Sequence, residues 1–406
     1  MAGPMAVLQQ SPTDPEFVQN PYPFYESARR QGKIVYWQDY GMPCALSHAA
    51  VSQILRDRRF GRVPVAPQPQ PAHMPAFRQL DDHAMIEIDG ARHDWLRAMV
   101  QRAFTPDRIR SMQPVIARCA RDLLDGLSAR GDGTADLVPA FTSRLPLMVV
   151  VRMLGLPDDR SDDLVRWSSA MVAIYQSGRD RGVEDRAEAA ASDFALMMRE
   201  MIDRRRARPG DDLVSALLGV ADAEGRKLSD QELVANVVLM FNAAREATVH
   251  ALGNAIKTSL ESPAPAEAFG PDRIGATVEE CLRFDPPLHL FVRHLQDDAE
   301  VLGHRLARGS RIACLLAAAN RDPAYWDEPG TFDTDRLPRT NLTFGAGGHF
   351  CLGAQLARLE LQIALTVLFA DRPGLRLAGT PRYADIFHFH GLESLPVAFG
   401  PLSRRN

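Results

Sequence analysis

Apolar residues recur every three to four positions through the middle of the chain, the spacing that turns one helix face toward a core. The pattern predicts helices over 92–121, broken at its prolines, and over 146–154, 163–173 and 183–206. The longest run extends from 229 to about 260 and opens with Ser229-Asp230-Gln231-Glu232, the form of a capping box. At ~1.5 Å per residue such a helix is roughly 45 Å long. Toward the N-terminus, 14–37 reads as an entry segment and a helix over 24–31, with Asn20-Pro21-Tyr22-Pro23 as the turn before it. The stretch 63–75 is rich in Pro and Gln and is expected to be a loop, and 260–275 offers little helix. Strand-like segments are short and late, at 311–316 and 386–389, and a new helix is expected from Ala354. The expected fold class is mainly α with a small β portion.

Length alone, 406 residues, suggests two or three domains, but no linker supports a split, so one domain over 1–406 is expected. Formal net charge is −4 from 51 acidic and 47 basic residues, which argues for neither nucleic acid nor a membrane surface as partner. The triplet Arg204-Arg205-Arg206 reads as a solvated helix end. Cys44, Cys119, Cys281, Cys314 and Cys351 are scattered and contain no Cys-x-x-Cys pair, so neither a disulfide framework nor a zinc site is indicated. The N-terminus lacks a basic region followed by an apolar core, and no uninterrupted apolar run reaches about 18 residues. A cytoplasmic, monomeric protein is the expectation.

Cys351 lies in Phe344-Gly345-Ala346-Gly347-Gly348-His349-Phe350-Cys351-Leu352-Gly353. Backbone amides brought close by the glycines, and the start of the helix that follows, would favour the thiolate. A thiolate there is a candidate haem ligand, whose electron donation promotes O–O cleavage. The order Phe, Gly, x, Gly, x, His, x, Cys, x, Gly resembles the haem-binding signature of cytochrome P450s, with every fixed position filled. The resemblance extends from the Pro-Tyr-Pro entry to Gly391-Leu392-Glu393, and the absence of an anchor resembles the soluble bacterial type.

That resemblance implies haem b (iron protoporphyrin IX) with Cys351 as its metal ligand, Phe344 packed near the sulfur, and Gly345, Gly353 and Ala243 beside the cofactor. It implies His93, Arg97, Arg293 and His349 as partners of the propionates, since buried anions need cationic or hydrogen-bonding groups. Glu280-x-x-Arg283 with Arg336 resembles the family's structural Glu-Arg-Arg network, although Thr334 and Leu337 stand where Pro and Phe are more usual.

In Ala243-Ala244-Arg245-Glu246-Ala247-Thr248 the family's acid is matched by Glu246, but Ala247 occupies the place of the usual catalytic threonine. Thr248 cannot simply replace it, because one residue along a helix rotates a side chain by about 100°. Three accounts compete: a polar group of the substrate relays the proton, Glu246 and Thr248 relay it through water, or the chemistry is not ordinary hydroxylation. Pocket candidates are Met85, Met240, Ala243, Ala247, Leu290, Phe291, Ile386 and Phe387, within wider segments that include 63–86 and 167–182. Their content suggests an apolar or amphipathic substrate: terpenoid, steroid-like, polyketide-derived or aromatic, as in secondary metabolism. His388-x-His390 could be a metal pair on one strand face, but no third ligand is apparent, and it reads as pocket wall or solvent-facing strand.

The implied activity is monooxygenation with O2. Electrons would come from a ferredoxin and its reductase, or a flavodoxin, because the chain carries no flavin or nicotinamide fingerprint. Arg102, Arg108 and Arg110 are candidates for docking an acidic ferredoxin, or simply a solvated face. The alternatives are desaturation, ring rearrangement or nitration, and, outside catalysis, a haem-binding module that recruits partners.

Overall fold

In a computed structural model, residues 4–66, 71–128, 133–175, 179–262 and 264–400 are described. The chain forms two compact units: 1–66, 116–145 and 247–406 make the first, and 67–115 and 146–246 the second.

The first unit contains the β structure. Its main sheet has six strands in the order Val7–Leu8, Ile34–Trp37, Met42–Ala45, Arg311–Leu315, Leu290–Leu295 and Phe60–Gly61. Leu290 pairs with Leu315 and Arg293 with Ile312, antiparallel, so the side chains of 290–295 alternate between faces. Two buried clusters flank it. One gathers Ile54, Leu55, Leu295, Ile312 and Leu342; the other gathers Phe17, Tyr25, Trp37, Leu290 and Phe387. Helix Ile274–Phe284 packs against helix Ala354–Asp371, which follows the cysteine loop. The segment 386–389 is not a strand. Ile386 N donates to Ala384 O and Phe389 N to Ile386 O, a tight turn joined to the rest of the β structure, among the described residues, by the bridge Leu288–Phe389.

The second unit is helical, with Pro75–Asp81, Gly90–Ala103, Pro106–Ser111, Ser161–Val172, Arg181–Ala207 and Leu213–Gly219. The proline breaks are present: Pro106 is the first residue of its helix and Pro114 lies in the first turn of Gln113–Ser128. The predicted long helix is Asp230–Glu261, 32 residues. Its capping box forms as read: Ser229 N donates to Glu232 Oε2 at 3.0 Å and Glu232 N to Ser229 Oγ at 3.3 Å. Beyond it, the described residues of the expected weak stretch include a short 3-10 turn, Ala266–Phe269. Residues 67–70 and 176–178 of the candidate pocket segments lie outside the described residues.

Candidate functional site

Two glycines in the left-handed region fold the cysteine loop, Gly345 at φ 71° and Gly347 at φ 72°. A Cβ on Gly347 would stand 2.1 Å from the Leu55 carbonyl oxygen, so the loop lies directly on the end of helix His48–Arg56. Gly347–His349 forms a 3-10 turn, Cys351 N donates to Phe344 O at 2.9 Å, and Gly353 caps helix Ala354–Asp371. The Phe344 ring is covered by the Arg358 guanidinium, 4.4 Å from its centroid, and Arg358 is paired with Glu279.

Cys351 is exposed, whereas Cys44, Cys119, Cys281 and Cys314 are buried. Burial pushes the thiols of Cys44, Cys281 and Cys314 up to about 12, so these three stay protonated and inert. A Cβ on Gly353 would lie 4.0 Å from Sγ, an ordinary contact distance. An accessible thiol in a backbone-locked loop fits a thiolate-held haem.

Glu280 and Arg283 form a bidentate pair, Nε–Oε2 and Nη2–Oε1 both 2.7 Å, at 3% and 1% side-chain exposure. Arg336 Nε reaches the same carboxylate at 3.2 Å, and Asp333 N donates to it at 2.9 Å. Arg283 also donates to the carbonyls of Asn320, Pro329 and Thr331. Every strong donor of this buried cation meets an acceptor, which is what makes such burial tolerable. The sequence grouping of Glu280, Arg283 and Arg336 is therefore a physical cluster.

His93 and Arg97 sit one turn apart in helix Gly90–Ala103, His93 buried and Arg97 half-buried. In the first unit Arg293 is buried on the Leu290–Leu295 strand and His349 is half-buried in the cysteine loop. On the long helix Ala243 is exposed, Ala247 half-buried and Thr248 buried. Glu246 is paired with its neighbour Arg245, Nη1–Oε2 2.8 Å, both largely covered. Of the pocket candidates, Phe291 lies 3.3 Å from where Gly345 would carry a Cβ, and Ile386 is half-buried. Leu290 and Phe387 contribute to the aromatic cluster around Phe17 and Trp37, with Phe387 6.3 Å from Trp37 between ring centroids. Met240 and Met85 are buried, and Met85 N is held by Asn236 Oδ1 at 3.0 Å. Within the second unit, a cavity of about 80 Å³ is lined chiefly by Phe77, Leu80, Met171, Val172 and Val238, with Asn242 as a polar member.

The sequence reading did not anticipate one cluster. His390 does not pair with His388; it meets Asp285 and His289, two partners that linear spacing concealed. His388 points elsewhere, and burial, then Arg62, pushes it down to about 4. The Leu288–Phe389 bridge that aligns these residues joins positions a hundred apart, and no local pattern signals it.

Residues 274–370 match the family model described as Cytochrome P450. The chain is 31% identical over 397 residues to the "Biotin biosynthesis cytochrome P450" of Bacillus subtilis (strain 168), covering 97% of this chain and 99% of that protein. It is 36% identical to the "Vitamin D(3) 25-hydroxylase" of Pseudonocardia autotrophica, over 95% of this chain and 96% of that one. Among solved structures, P450BioI in complex with acyl carrier protein ligated to hexadec-9Z-enoic acid superposes with a TM-score of 0.88 at 31% identity, covering 95% of this chain and all of that one (100%). The fold is that of the haem-thiolate oxygenases. The chain belongs to the cytochrome P450 family and is an oxidoreductase of the monooxygenase class.

Proposed function

We propose that this chain binds haem b through Cys351 and inserts one atom of O2 into an apolar or amphipathic small molecule of terpenoid, steroid-like, polyketide-derived or aromatic type. The observation that carries the reading is the Cys351 loop: one exposed thiol, locked against Leu55 by Gly347, among otherwise buried cysteines. With haem bound, the thiolate ligand favours cleavage of the O–O bond of dioxygen. With haem bound, His93 and Arg97 would offer its propionates a hydrogen-bond donor and a cation, and so would His349 and Arg293. The side chains around Phe77, Leu80, Met171 and Val238 are apolar, in keeping with an apolar rather than a charged ligand. Relatives named for vitamin D(3) and for biotin biosynthesis are consistent with an amphipathic substrate.

Ala247 bears no hydroxyl, so a proton must travel through Glu246 and Thr248 with water, or through a polar group of the substrate itself. Arg245 holds Glu246 Oε2 at 2.8 Å and keeps its own proton, so a relay through this acid uses the other carboxylate oxygen or follows release from the pair. Electrons come from a cytoplasmic ferredoxin and its reductase, or from a flavodoxin.

A carbon monoxide difference spectrum of the reduced protein tests the ligand: a thiolate-type band in the wild type and its loss in Cys351→His are expected, and a wild type without that band overturns the reading. Ligands that shift the Soret band, followed by product analysis, identify the substrate and separate hydroxylation from desaturation, ring rearrangement or nitration. NADPH or NADH consumption dependent on both redox partner and substrate separates an enzyme from a haem-binding recruitment module. For the proton path, Ala247→Thr should raise coupling most for ligands lacking a polar group; an equal gain for every ligand contradicts substrate assistance.

A further inference from the structure

Helix Ile274–Phe284 runs directly into a buried polar cluster in the first unit. Asp285, His289 and His390 are 5%, 0% and 4% exposed, and one potential donor atom from each lies within 4.8 Å of the others. Tyr22 and Tyr383 donate their hydroxyls to the two oxygens of Asp285 at 2.6 and 2.5 Å. Tyr25 Oη lies 3.0 Å from His289 Nδ1, His390 Nε2 lies 3.6 Å from Asp285 Oδ1, and the His390 ring stacks on Tyr383 at 3.8 Å. His289 Nε2 is buried with no hydrogen-bond partner among the described residues. The same holds for Asn254 Oδ1, whose amide nitrogen donates to the backbone carbonyls of Asp285 and His390.

We propose that Asp285, His289 and His390 form a structural binding site for one divalent transition-metal ion of the zinc type. Two imidazoles and a carboxylate are a donor set such ions accept. The surroundings match what such ligands need: Tyr25 engages the second ring nitrogen of His289, leaving Nε2 as the free donor, and two tyrosine hydroxyls orient the Asp285 carboxylate. The positive groups that face the cluster are Arg321 and Lys257. Arg321 lies 3.4 Å over the Tyr22 ring and donates to Phe284 O at 2.9 and 2.6 Å, and Lys257 lies 5.3 Å from the Tyr383 centroid. They oppose a second cation, and the Asp285 charge offsets part of that opposition.

Donors held about 2.0–2.2 Å from a tetrahedral ion stand roughly 3.3–3.6 Å apart, so binding draws the three groups about 1 Å closer by side-chain rotation. The ion would clamp the end of helix Ile274–Phe284 and the approach to strand Leu290–Leu295 to the 386–391 turn. Backbone bonds already join the same segments: His289 N to His388 O at 3.0 Å and His390 N to Pro287 O at 2.9 Å.

The test uses tag-free holoenzyme equilibrated with zinc chloride, passed through gel filtration, and assayed for zinc per chain by inductively coupled plasma mass spectrometry. One zinc per chain is expected. At a free zinc concentration of 100 times Kd the folding equilibrium should shift about 100-fold, seen as a raised thermal midpoint. His289→Gln and His390→Gln, checked for an intact fold by circular dichroism, should each lower zinc affinity at least about tenfold. A folded wild type that retains no zinc overturns the proposal, as does undiminished zinc in both variants. Should the variants fail to fold, zinc K-edge absorption of the wild type decides: a shell of two imidazoles supports the site, and a shell without imidazole overturns it.

Discussion

Gly347 carries two separable constraints, a left-handed backbone and a missing Cβ 2.1 Å from the Leu55 oxygen. Gly90 shares the first, at φ 70°, but has open space around it. Gly90→Ala should therefore cost about 1–2 kcal/mol from backbone strain alone, and Gly347→Ala should exceed it by at least about 1 kcal/mol because the Leu55 carbonyl must shift. Urea denaturation of both variants measures the difference, and equal losses would mean the loop does not press on Leu55. Glu360 presents an electrostatic counterpart. Its carboxyl is buried, Oε1 lacks a hydrogen-bond partner among the described residues, and burial pushes it up to about 8. Between its ordinary value near 4.5 and about 8, the folded chain keeps this proton while the unfolded chain releases it. The contribution is thus intact below the lower value and is lost as pH rises through the upper one. Glu360→Gln should remove that slope, leaving the variant more stable than wild type at pH 8.5 by on the order of 2–4 kcal/mol and similar to it near pH 4.5. Parallel stability curves for the two proteins would exclude a titrating Glu360.

At the level of elements, helix Pro75–Asp81 depends on a side chain far away in sequence. Its N-cap Met74 offers no oxygen, and Glu188 accepts from Ala76 N at 3.0 Å and Phe77 N at 2.9 Å instead. Nearby, Glu184 binds His73 and Arg179, each at 2.8 Å. Glu188→Ala should loosen this helix by about 1 kcal/mol. Hydrogen exchange at Ala76 and Phe77 should then quicken about fivefold, and unchanged exchange would show the cap to be redundant. No local feature of 63–81 announces such an anchor, and seven residues are too few for a helical period to stand out. The long helices were legible because their apolar faces repeat over many turns and because Ser229-x-x-Glu232 is a local capping device. The Cys351 loop was legible for a related reason, since its geometry is written in adjacent glycines. The Asp285, His289 and His390 cluster was not, because strand-like residues at 386–389 fold as a turn and the contact between 285–289 and 390 is purely tertiary.

Charge acts over the whole molecule, and here the net value is −4. An acidic electron donor is therefore repelled at long range and must be drawn in by a local basic face. The arginines that suggested such a face are partly occupied. Arg102 donates to Ala221 O at 2.5 Å, Arg108 lies 3.8 Å from the fully exposed Asp211, and Arg110 is paired with Asp107. Exposed pairs of this kind contribute about 0–1 kcal/mol to stability, so their acids are removable without harm to the fold. If the face docks a ferredoxin, Asp107→Asn with Asp211→Asn should unmask two cations and raise the rate of first electron transfer about threefold at low salt. Screening shortens to ~6 Å near 0.3 M salt, and the gain should vanish there while melting temperature stays unchanged. Stopped-flow reduction under carbon monoxide, followed across ionic strength, reads this directly. A variant no faster than wild type at low salt would assign these arginines to a solvated helix face, and docking would have to use another surface.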